Sequence, residues 1–154
     1  MSAIRRRTGI AADRPTVMTL AVKPLAIVLF DIDRFKAIND RFSHAIGDAV
    51  LREVASMLRA HCRAYDIAAR IGGEEFVLLL READLGSAQH VAERVRAEIA
   101  AHDWTSVAAE LAVTVSGGVA VDPGEGNAAS LLRSADNAMY EAKRAGRDRV
   151  CTAS

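Results

Sequence analysis

Hydrophobic residues along the chain form short continuous runs that are separated by stretches with helical spacing. The run LAIVLFDID, residues 25–33, is apolar until it ends in acids, which is typical of a buried central strand. Four shorter runs, IAARI, EFVLLL, LAVTVSGGVAV and RVCT, predict further strands. We expect the first two of these to form a hairpin, because Gly72 and Gly73 lie between them.

Apolar residues at helical spacing predict what connects these strands. A short helix is expected over RFKAINDRF, followed by a longer helix over HAIGDAVLREVASMLRAHC, whose apolar residues share one face. Residues 84–102 have the same spacing, and AASLLRSADNAMYEAKRAG predicts a last helix that ends at Gly146. Residues 1–24 have the least regular pattern, and we expect there only a short helix over Val17–Val22.

The predicted order is β-α-α-β-β-α-β-α-β, which indicates an α+β fold with a ferredoxin-like mixed sheet of about five strands flanked by helices. It contains a split β-α-β unit, in which the third strand lies between the first two and runs antiparallel to both. The end of the first strand should then neighbour the start of the third. Two acidic clusters distant in sequence, Asp31–Asp33 and Glu74–Glu75, should therefore meet at one sheet edge.

Composition and charge narrow the class of protein. The 154 residues are enough for one domain with a core, and a hydrophobic content of 51% excludes a disordered chain. Equal numbers of basic and acidic residues, 20 each, argue against binding to nucleic acid or to a membrane surface. Two cysteines without metal-ligand spacing predict free thiols, and with no apolar run of membrane-spanning length they indicate a cytoplasmic protein.

The two acidic clusters together predict a metal site. Close carboxylates repel each other unless a proton or a cation compensates them, and oxygen ligands suit Mg²⁺ or Mn²⁺. Two such ions can assist phosphoryl transfer, taking their other ligands from water and substrate phosphates. Taken alone, each cluster is explained more simply as solvated acids at a strand end or as an ordinary hairpin. Their expected adjacency is what favours the metal site.

Residues near the acids suit a nucleotide. Lys36 lies one turn into the short helix, and the N–H groups of Arg34 and Phe35 lie at its start, where phosphate binds well. Lys143 and Arg147 could offer two cations to one triphosphate, although cations at a helix C-terminus also interact favourably with its dipole.

Two further polar residues, Asn39 and Asp48, could contact the edge of a purine. A carboxylate accepts from the N1–H and N2–H₂ groups of guanine, whereas adenine cannot donate in this way. The alternative is helix capping, because Asp48 follows Gly47 near a predicted helix start. From these residues alone, guanine preference is only a suggestion.

Four stretches of the chain together resemble the GGDEF domain of diguanylate cyclases. They are FDIDRFKAIND…SHAIGDAVL, RIGGEEF, VTVSGGVA and AMYEAKRAGRDRV, and the match runs from Leu25 to Val150. The resemblance implies a sheet related to the palm of nucleotidyl cyclases and polymerases, and the condensation of two GTP molecules into cyclic di-GMP with release of two pyrophosphates. It also implies two Mg²⁺ or Mn²⁺ ions per active site and a homodimer, since each domain binds one GTP.

The resemblance further implies roles for individual residues. Asp31, the Ile32 carbonyl and Glu74 would hold the metal, and Glu75 would have a supporting or acid–base role. The implied substrate site combines phosphate-binding cations, guanine-reading residues and two bare glycines, namely Lys36, Lys143, Arg147, Asn39, Asp48, Gly72 and Gly73.

A second implied site lies just upstream of the hairpin glycines. The stretch RAYD, with Arg63 and Asp66, matches the RxxD product-inhibition site of the family, and Arg94 lies where the family often supplies another arginine. Cyclic di-GMP has two phosphates and two guanines, which arginines and a carboxylate can bind. The alternative is a surface Arg–Asp pair.

The chain also departs from the family pattern. The upstream DxLTGLxNRR pattern is missing apart from a remnant at Ile4–Arg7, so we expect residues 1–24 to be a linker to an absent sensory domain and 25–154 the catalytic domain. Ser43 and Asp148 replace a usual glycine and asparagine. Two other functions stay open: a silent receptor for cyclic di-GMP or GTP, which the intact acids and cations argue against, and a cyclase acting on another nucleotide.

Overall fold

The computed structural model describes residues 23–122, 124 and 126–154. The helix predicted over Val17–Val22 and the remnant at Ile4–Arg7 lie outside the described residues. Within them the elements follow the predicted order: β1 (Leu25–Ile32), α1 (Phe35–Arg41), α2 (His44–Ala60), β2 (Ile67–Arg70), β3 (Glu75–Arg81), α3 (Leu85–Ala101), β4 (Val115–Asp122), α4 (Ala128–Arg144) and β5 (Arg149–Thr152).

The strands form one mixed sheet in the order β2-β3-β1-β4-β5. β3 lies between β1 and β2 and is antiparallel to both, as the split β-α-β unit predicts, while β5 is parallel to β4. The predicted α+β fold, a five-stranded sheet flanked by helices, is confirmed. Asp31 pairs in register with Glu75, so the acidic ends of two strands meet at one edge.

Helices cover both faces of the sheet because β1 is apolar on both sides. The residues that project into the larger core, beneath α1, α2 and α3, are Ala26, Val28, Phe30 and Ile32. Ile27 and Leu29 project to the other face, where they pack with residues of α4. Burial on two faces explains why β1 reads as one continuous apolar run. By the same alternation, Asp31 lies on the α4 face.

The close packing of α4 on β4 depends on Gly118. A Cβ atom at this position would lie 2.1 Å from the Ala135 carbonyl oxygen and 2.3 Å from the Met139 backbone nitrogen. Gly118 therefore allows a close approach of helix and strand and does not form a β-bulge, because the β1–β4 register is uninterrupted. This contact sets the middle of α4 against β4, and Lys143, one turn after Met139, reaches Asp31 near the end of β1.

β4 begins later than the apolar pattern predicts. The run starts at Leu111, but the strand starts at Val115, which pairs with Ile32, the last residue of β1. Before Val115, backbone pairing with the β1 segment is limited to the Thr114 carbonyl, which accepts from the Asp33 N–H at 2.9 Å just beyond the end of β1. Leu111 and Val113 are buried all the same, so their apolar character serves packing rather than strand formation. None of the helices in the described part of the chain has the length and apolar character needed to cross a bilayer.

Candidate functional site

The centre of the candidate site is a pair of carboxylates, that of Asp31 near the end of β1 and that of Glu74 directly before β3. Asp31 is opposite Glu75 in the strand register, and the Ile32 N–H donates to the Glu74 carbonyl at 3.1 Å. The hairpin that carries both glutamates is thereby held against β1 through its backbone. The structure thus brings together all four residues for which the sequence predicts a metal-binding or supporting role.

Burial and repulsion disfavour the charged forms of this pair. Burial raises the pKa of Asp31, and a hydrogen bond from Lys143 offsets part of the rise. Burial also raises the pKa of Glu74, and the negative charge of Asp31 raises it further. An additional cation would relieve both effects, which is the physical condition for a metal site.

Lys143 is the one cation in direct contact with these acids within the described part of the chain. Its Nζ atom lies 3.0 Å from Asp31 Oδ2. The oxygen ligands are of the type that Mg²⁺ or Mn²⁺ binds. No three His, Cys, Asp or Glu side chains among the described residues are grouped so as to hold a metal ion. A metal here would therefore complete its coordination with the Ile32 carbonyl, water and substrate phosphates.

Asp33 has a different role from Asp31, although each is only 7% exposed. Its Oδ1 accepts from the Ser116 hydroxyl at 2.6 Å, and its Oδ2 accepts from the Thr114 hydroxyl at 2.7 Å and the Asp148 N–H at 3.0 Å. Asp33 therefore ties the end of β1 to β4 and to the turn before β5. The sequence pattern groups both aspartates in one acidic cluster, and only the alternating hydroxyls of VTVS signal this difference.

The turn after β1 exposes the basic residues predicted to bind phosphate. Arg34 has a left-handed backbone with φ 53°, and α1 begins at the next residue. Arg34 and Lys36 are exposed, whereas the Phe35 side chain is buried and only its backbone is available. Arg34 and Arg147 line one cavity of about 400 Å³. Of the two predicted cations at the end of the last helix, Lys143 contacts Asp31 directly. Arg147, three residues past the end of α4, lines this cavity, and its charge also lowers the pKa of Asp31.

Asn39 lies against the start of α2. Its Oδ1 is buried without a hydrogen-bond partner, at a place where a Cβ on Gly47 would come within 1.8 Å. The absence of a side chain at Gly47 therefore allows Asn39 to approach α2 at the residue before Asp48. The N-cap of α2 is Ser43, whose hydroxyl accepts from the Ile46 N–H, so Asp48 is not the cap. An unpartnered amide oxygen can accept from a ligand.

The hairpin tip is held in place by a side chain of β2, and the space beside Gly73 is open. Arg70 Nε donates to the carbonyls of Gly72 at 2.9 Å and Gly73 at 3.1 Å. A Cβ at Gly73 would meet nothing within 4 Å, and one at Gly72 would lie 3.1 Å from Glu75 Oε2. Internal packing therefore does not require a glycine at position 73. The buttressing by Arg70 is a feature that the sequence pattern does not reveal.

Arg63, Asp66 and Arg94 line one cavity of about 570 Å³, so the structure brings the three residues of the RxxD prediction together. The Asp66 side chain, 1% exposed, accepts from the backbone N–H groups of Arg63 at 2.8 Å and Arg81 at 3.2 Å. Arg63 Nη2 also donates to the Arg81 carbonyl at 2.9 Å, and its side chain stays 53% exposed. The carboxylate is satisfied internally, and the guanidinium groups face the cavity.

Comparison with known proteins agrees with this geometry. The family described as "Diguanylate cyclase, GGDEF domain" matches residues 16–149. The response regulator PleD of Caulobacter vibrioides is 44% identical over 135 residues, which are 86% of this chain and 30% of PleD. The chain thus spans under a third of the length of this curated relative.

Solved structures are similar as well. The active GGEEF domain of a diguanylate cyclase from Vibrio cholerae superposes with a TM-score of 0.80 at 34% identity, covering 86% of this chain and 84% of that one. The GGDEF domain of DgcB from Caulobacter crescentus, solved in complex with c-di-GMP, gives 0.78 at 35% identity, covering 84% and 78%.

Proposed function

The chain belongs to the family of diguanylate cyclase GGDEF domains, and on that premise we propose that it condenses two GTP molecules into cyclic di-GMP and two pyrophosphates. The observation that carries the proposal is the acid pair, Asp31 and Glu74, whose pKa values are both raised and which lies beside an open hairpin tip. A bound divalent cation stabilises the ionised form of such a pair.

In the proposed reaction, Asp31, the Ile32 carbonyl and Glu74 bind Mg²⁺ or Mn²⁺, two ions per site, and Glu75 supports them. When bound, the metal lowers the pKa of the attacking 3′-hydroxyl and neutralises charge on the α-phosphate. Lys143, 3.0 Å from Asp31 in this structure, would be near enough to the site to contact the substrate phosphates.

The remaining residues of the proposed site position the nucleotide. The exposed cations near the end of β1 contact the phosphates, Asn39 and Asp48 bind the guanine, and the bare hairpin tip lets the backbone approach the triphosphate. The residues with these roles are Arg34, Phe35 through its N–H, Lys36, Lys143, Arg147, Asn39, Asp48, Gly72 and Gly73.

The proposed reaction requires two copies of the domain. One domain binds one GTP, and each 3′-hydroxyl must be in line with the α-phosphate on the facing copy. A symmetric homodimer meets this requirement. We place the reaction in the cytoplasm, where the free thiols Cys62 and Cys151 would stay reduced.

The cyclase proposal is tested by product formation. The protein is incubated with GTP and Mg²⁺, and cyclic di-GMP is separated and quantified for the wild type, Asp31→Ala and Glu74→Ala. Glu141→Ala removes an exposed carboxylate of α4 and serves as the control with wild-type activity. Absence of cyclic di-GMP even from concentrated, artificially dimerised protein would contradict the proposal. Binding of cyclic di-GMP or GTP under those conditions would instead favour the receptor function.

We further propose that the cavity lined by Arg63, Asp66 and Arg94 binds the product and inhibits the reaction. Two guanidinium groups can each form charge-assisted hydrogen bonds with a phosphate of cyclic di-GMP. Arg63→Ala should weaken inhibition by added cyclic di-GMP while leaving the initial rate nearly intact. An inhibition curve identical to that of the wild type would argue against a product site here.

A further inference from the structure

The cavity beside Asp48 extends along one face of α2 and has a volume of about 610 Å³. Its floor includes Leu51, Leu58 and Phe76, and its charged rim includes Asp48, Arg52 and Arg59. The three floor residues are buried in the core. An apolar floor with a few polar groups at the rim suits a flat aromatic ligand with polar edges, such as a nucleobase.

Asp48 and Arg52 lie one turn apart on the same face of α2. Opposite charges at this spacing commonly pair on a helix, yet neither side chain forms a hydrogen bond or ion pair with any described residue. Both charged groups line the cavity and are free to contact a ligand there. The Asp48 carboxylate can accept hydrogen bonds, and the neighbouring Arg52 guanidinium can donate several.

Guanine has two adjoining edges of opposite character. Its N1–H and N2–H₂ groups donate, and its O6 and N7 atoms accept. A carboxylate matches the first edge, and the planar guanidinium of arginine matches O6 and N7 with two donors. Adenine carries an N6–H₂ donor in place of O6, so an arginine at this position would face an unpaired donor.

We infer that Arg52 is a specificity-determining residue, whose guanidinium donates to O6 and N7 of the guanine that Asp48 contacts at N1–H and N2–H₂. The inference rests on the proposed function and deepens it, since it names the group that distinguishes the two purines on the acceptor edge. Losing a good contact of this kind weakens nucleotide binding by about 5- to 150-fold.

The test measures binding without turnover. GDP, IDP and 7-deaza-GDP carry no pyrophosphate leaving group for the proposed reaction, and their affinities are measured by isothermal titration calorimetry. 7-deaza-GDP lacks the N7 acceptor and reports on Arg52, whereas IDP lacks the N2 amine and reports on Asp48. We expect the wild type to prefer GDP to each analogue by about 10-fold, and Arg52→Met to lose only the preference over 7-deaza-GDP.

Arg59→Met is the matched control, because Arg59 lies two turns further along the same helix and lines the same cavity. It should keep both preferences. The inference is overturned if Arg52→Met still prefers GDP to 7-deaza-GDP, if both preferences disappear together, or if Arg59→Met alone loses the preference. It is also overturned if the wild type does not bind GDP.

Cyclic di-GMP formation from saturating GTP is assayed separately on the same three proteins. If the wild type forms cyclic di-GMP but Arg52→Met still prefers GDP to 7-deaza-GDP, the inference about Arg52 is wrong and the cyclase proposal is unaffected. The two failures are thereby distinguishable.

Discussion

Asp31 and Asp66 are both nearly buried carboxylates in contact with a basic side chain, yet their surroundings favour opposite ligands. Asp31 has one lysine contact, its charge raises the pKa of Glu74, and burial raises its own pKa. Asp66 accepts from two backbone N–H groups and from the Arg63 side chain. A carboxylate that has too few hydrogen-bond donors around it attracts a cation. A carboxylate whose oxygens are saturated, that is, fully supplied with donors, instead orients its arginine partner, and the arginine attracts an anion.

The difference shows that residue types do not define the two sites. Each contains aspartate and a base, and each lies near a sheet edge or turn. What separates them is the number of N–H and O–H donors around each carboxylate. Asp33, saturated by two hydroxyls and one N–H group, belongs with Asp66 in this respect although it lies two residues from Asp31.

The largest expected effect comes from neutralising the acid pair. Glu74→Gln should lower cyclic di-GMP formation by about 100-fold or more, because metal binding contributes several kcal/mol to the transition state. The same substitution should raise the melting temperature of the metal-free protein by about 1–3 °C, because it removes repulsion with Asp31. Product assays measure the expected loss of activity, and thermal unfolding without metal measures the expected gain in stability. A lower melting temperature of the metal-free variant would contradict the difference drawn between Asp31 and Asp66.

Removing a saturated carboxylate should have the opposite effect on stability. Asp33→Ala leaves the buried Ser116 hydroxyl and the Asp148 N–H without an acceptor, so we expect the free energy of unfolding to fall by about 3 kcal/mol. Urea denaturation measures this change. Glu82→Ala, which removes an exposed partner of Lys23, is the control and should leave stability unchanged.

A somewhat smaller loss is expected in the RxxD cavity. Asp66→Ala should lower the free energy of unfolding by about 2 kcal/mol, because the Arg63 and Arg81 N–H groups lose their acceptor. Product inhibition should weaken as well, since Arg63 loses its orientation. Arg63→Ala should weaken inhibition with little loss of stability, so equal destabilisation of both variants in urea would contradict the assigned roles.

The smallest expected effect is a pH dependence of opposite sign from that of an ordinary paired carboxylate. The native pKa values of Asp31 and Glu74 are raised above their ordinary values of 3.8 and 4.5. In the metal-free protein, the two groups therefore contribute stability at pH values below their ordinary pKa values. This contribution is lost as pH rises through their raised native pKa values. Thermal unfolding between pH 4 and 7.5 measures this dependence.

Mg²⁺ should oppose this loss, because it binds the ionised pair of the native state. Stabilisation by saturating Mg²⁺ is therefore expected to shrink as pH falls, and Glu74→Gln should show little of it at any pH. Mg²⁺ stabilisation that is equally large at pH 4 and 7.5 would argue that the metal binds elsewhere.

Much of the fold and the adjacency of the acids could be predicted from the sequence. The continuous run of β1, the paired glycines of the hairpin and the helical spacing of α2 to α4 are local patterns, and each reflects burial on known faces. The rule for split β-α-β units then placed β3 beside β1, which brought Glu74 and Glu75 to Asp31. Ser116 and Thr114 were not connected to Asp33, because a hydroxyl alone does not indicate its acceptor.

The order of elements, the strand pairing and the convergence of the acids follow from the sequence, since hydrophobic period and chain connectivity are encoded locally. The start of β4, the contact of Lys143 with Asp31 and the position of Asn39 against Gly47 follow from the packing of distant segments. The same packing also separates Asp31 from Asp33. These depend on where distant segments end and on how many donors surround each carboxylate, and both are properties of the packed chain rather than of any short stretch.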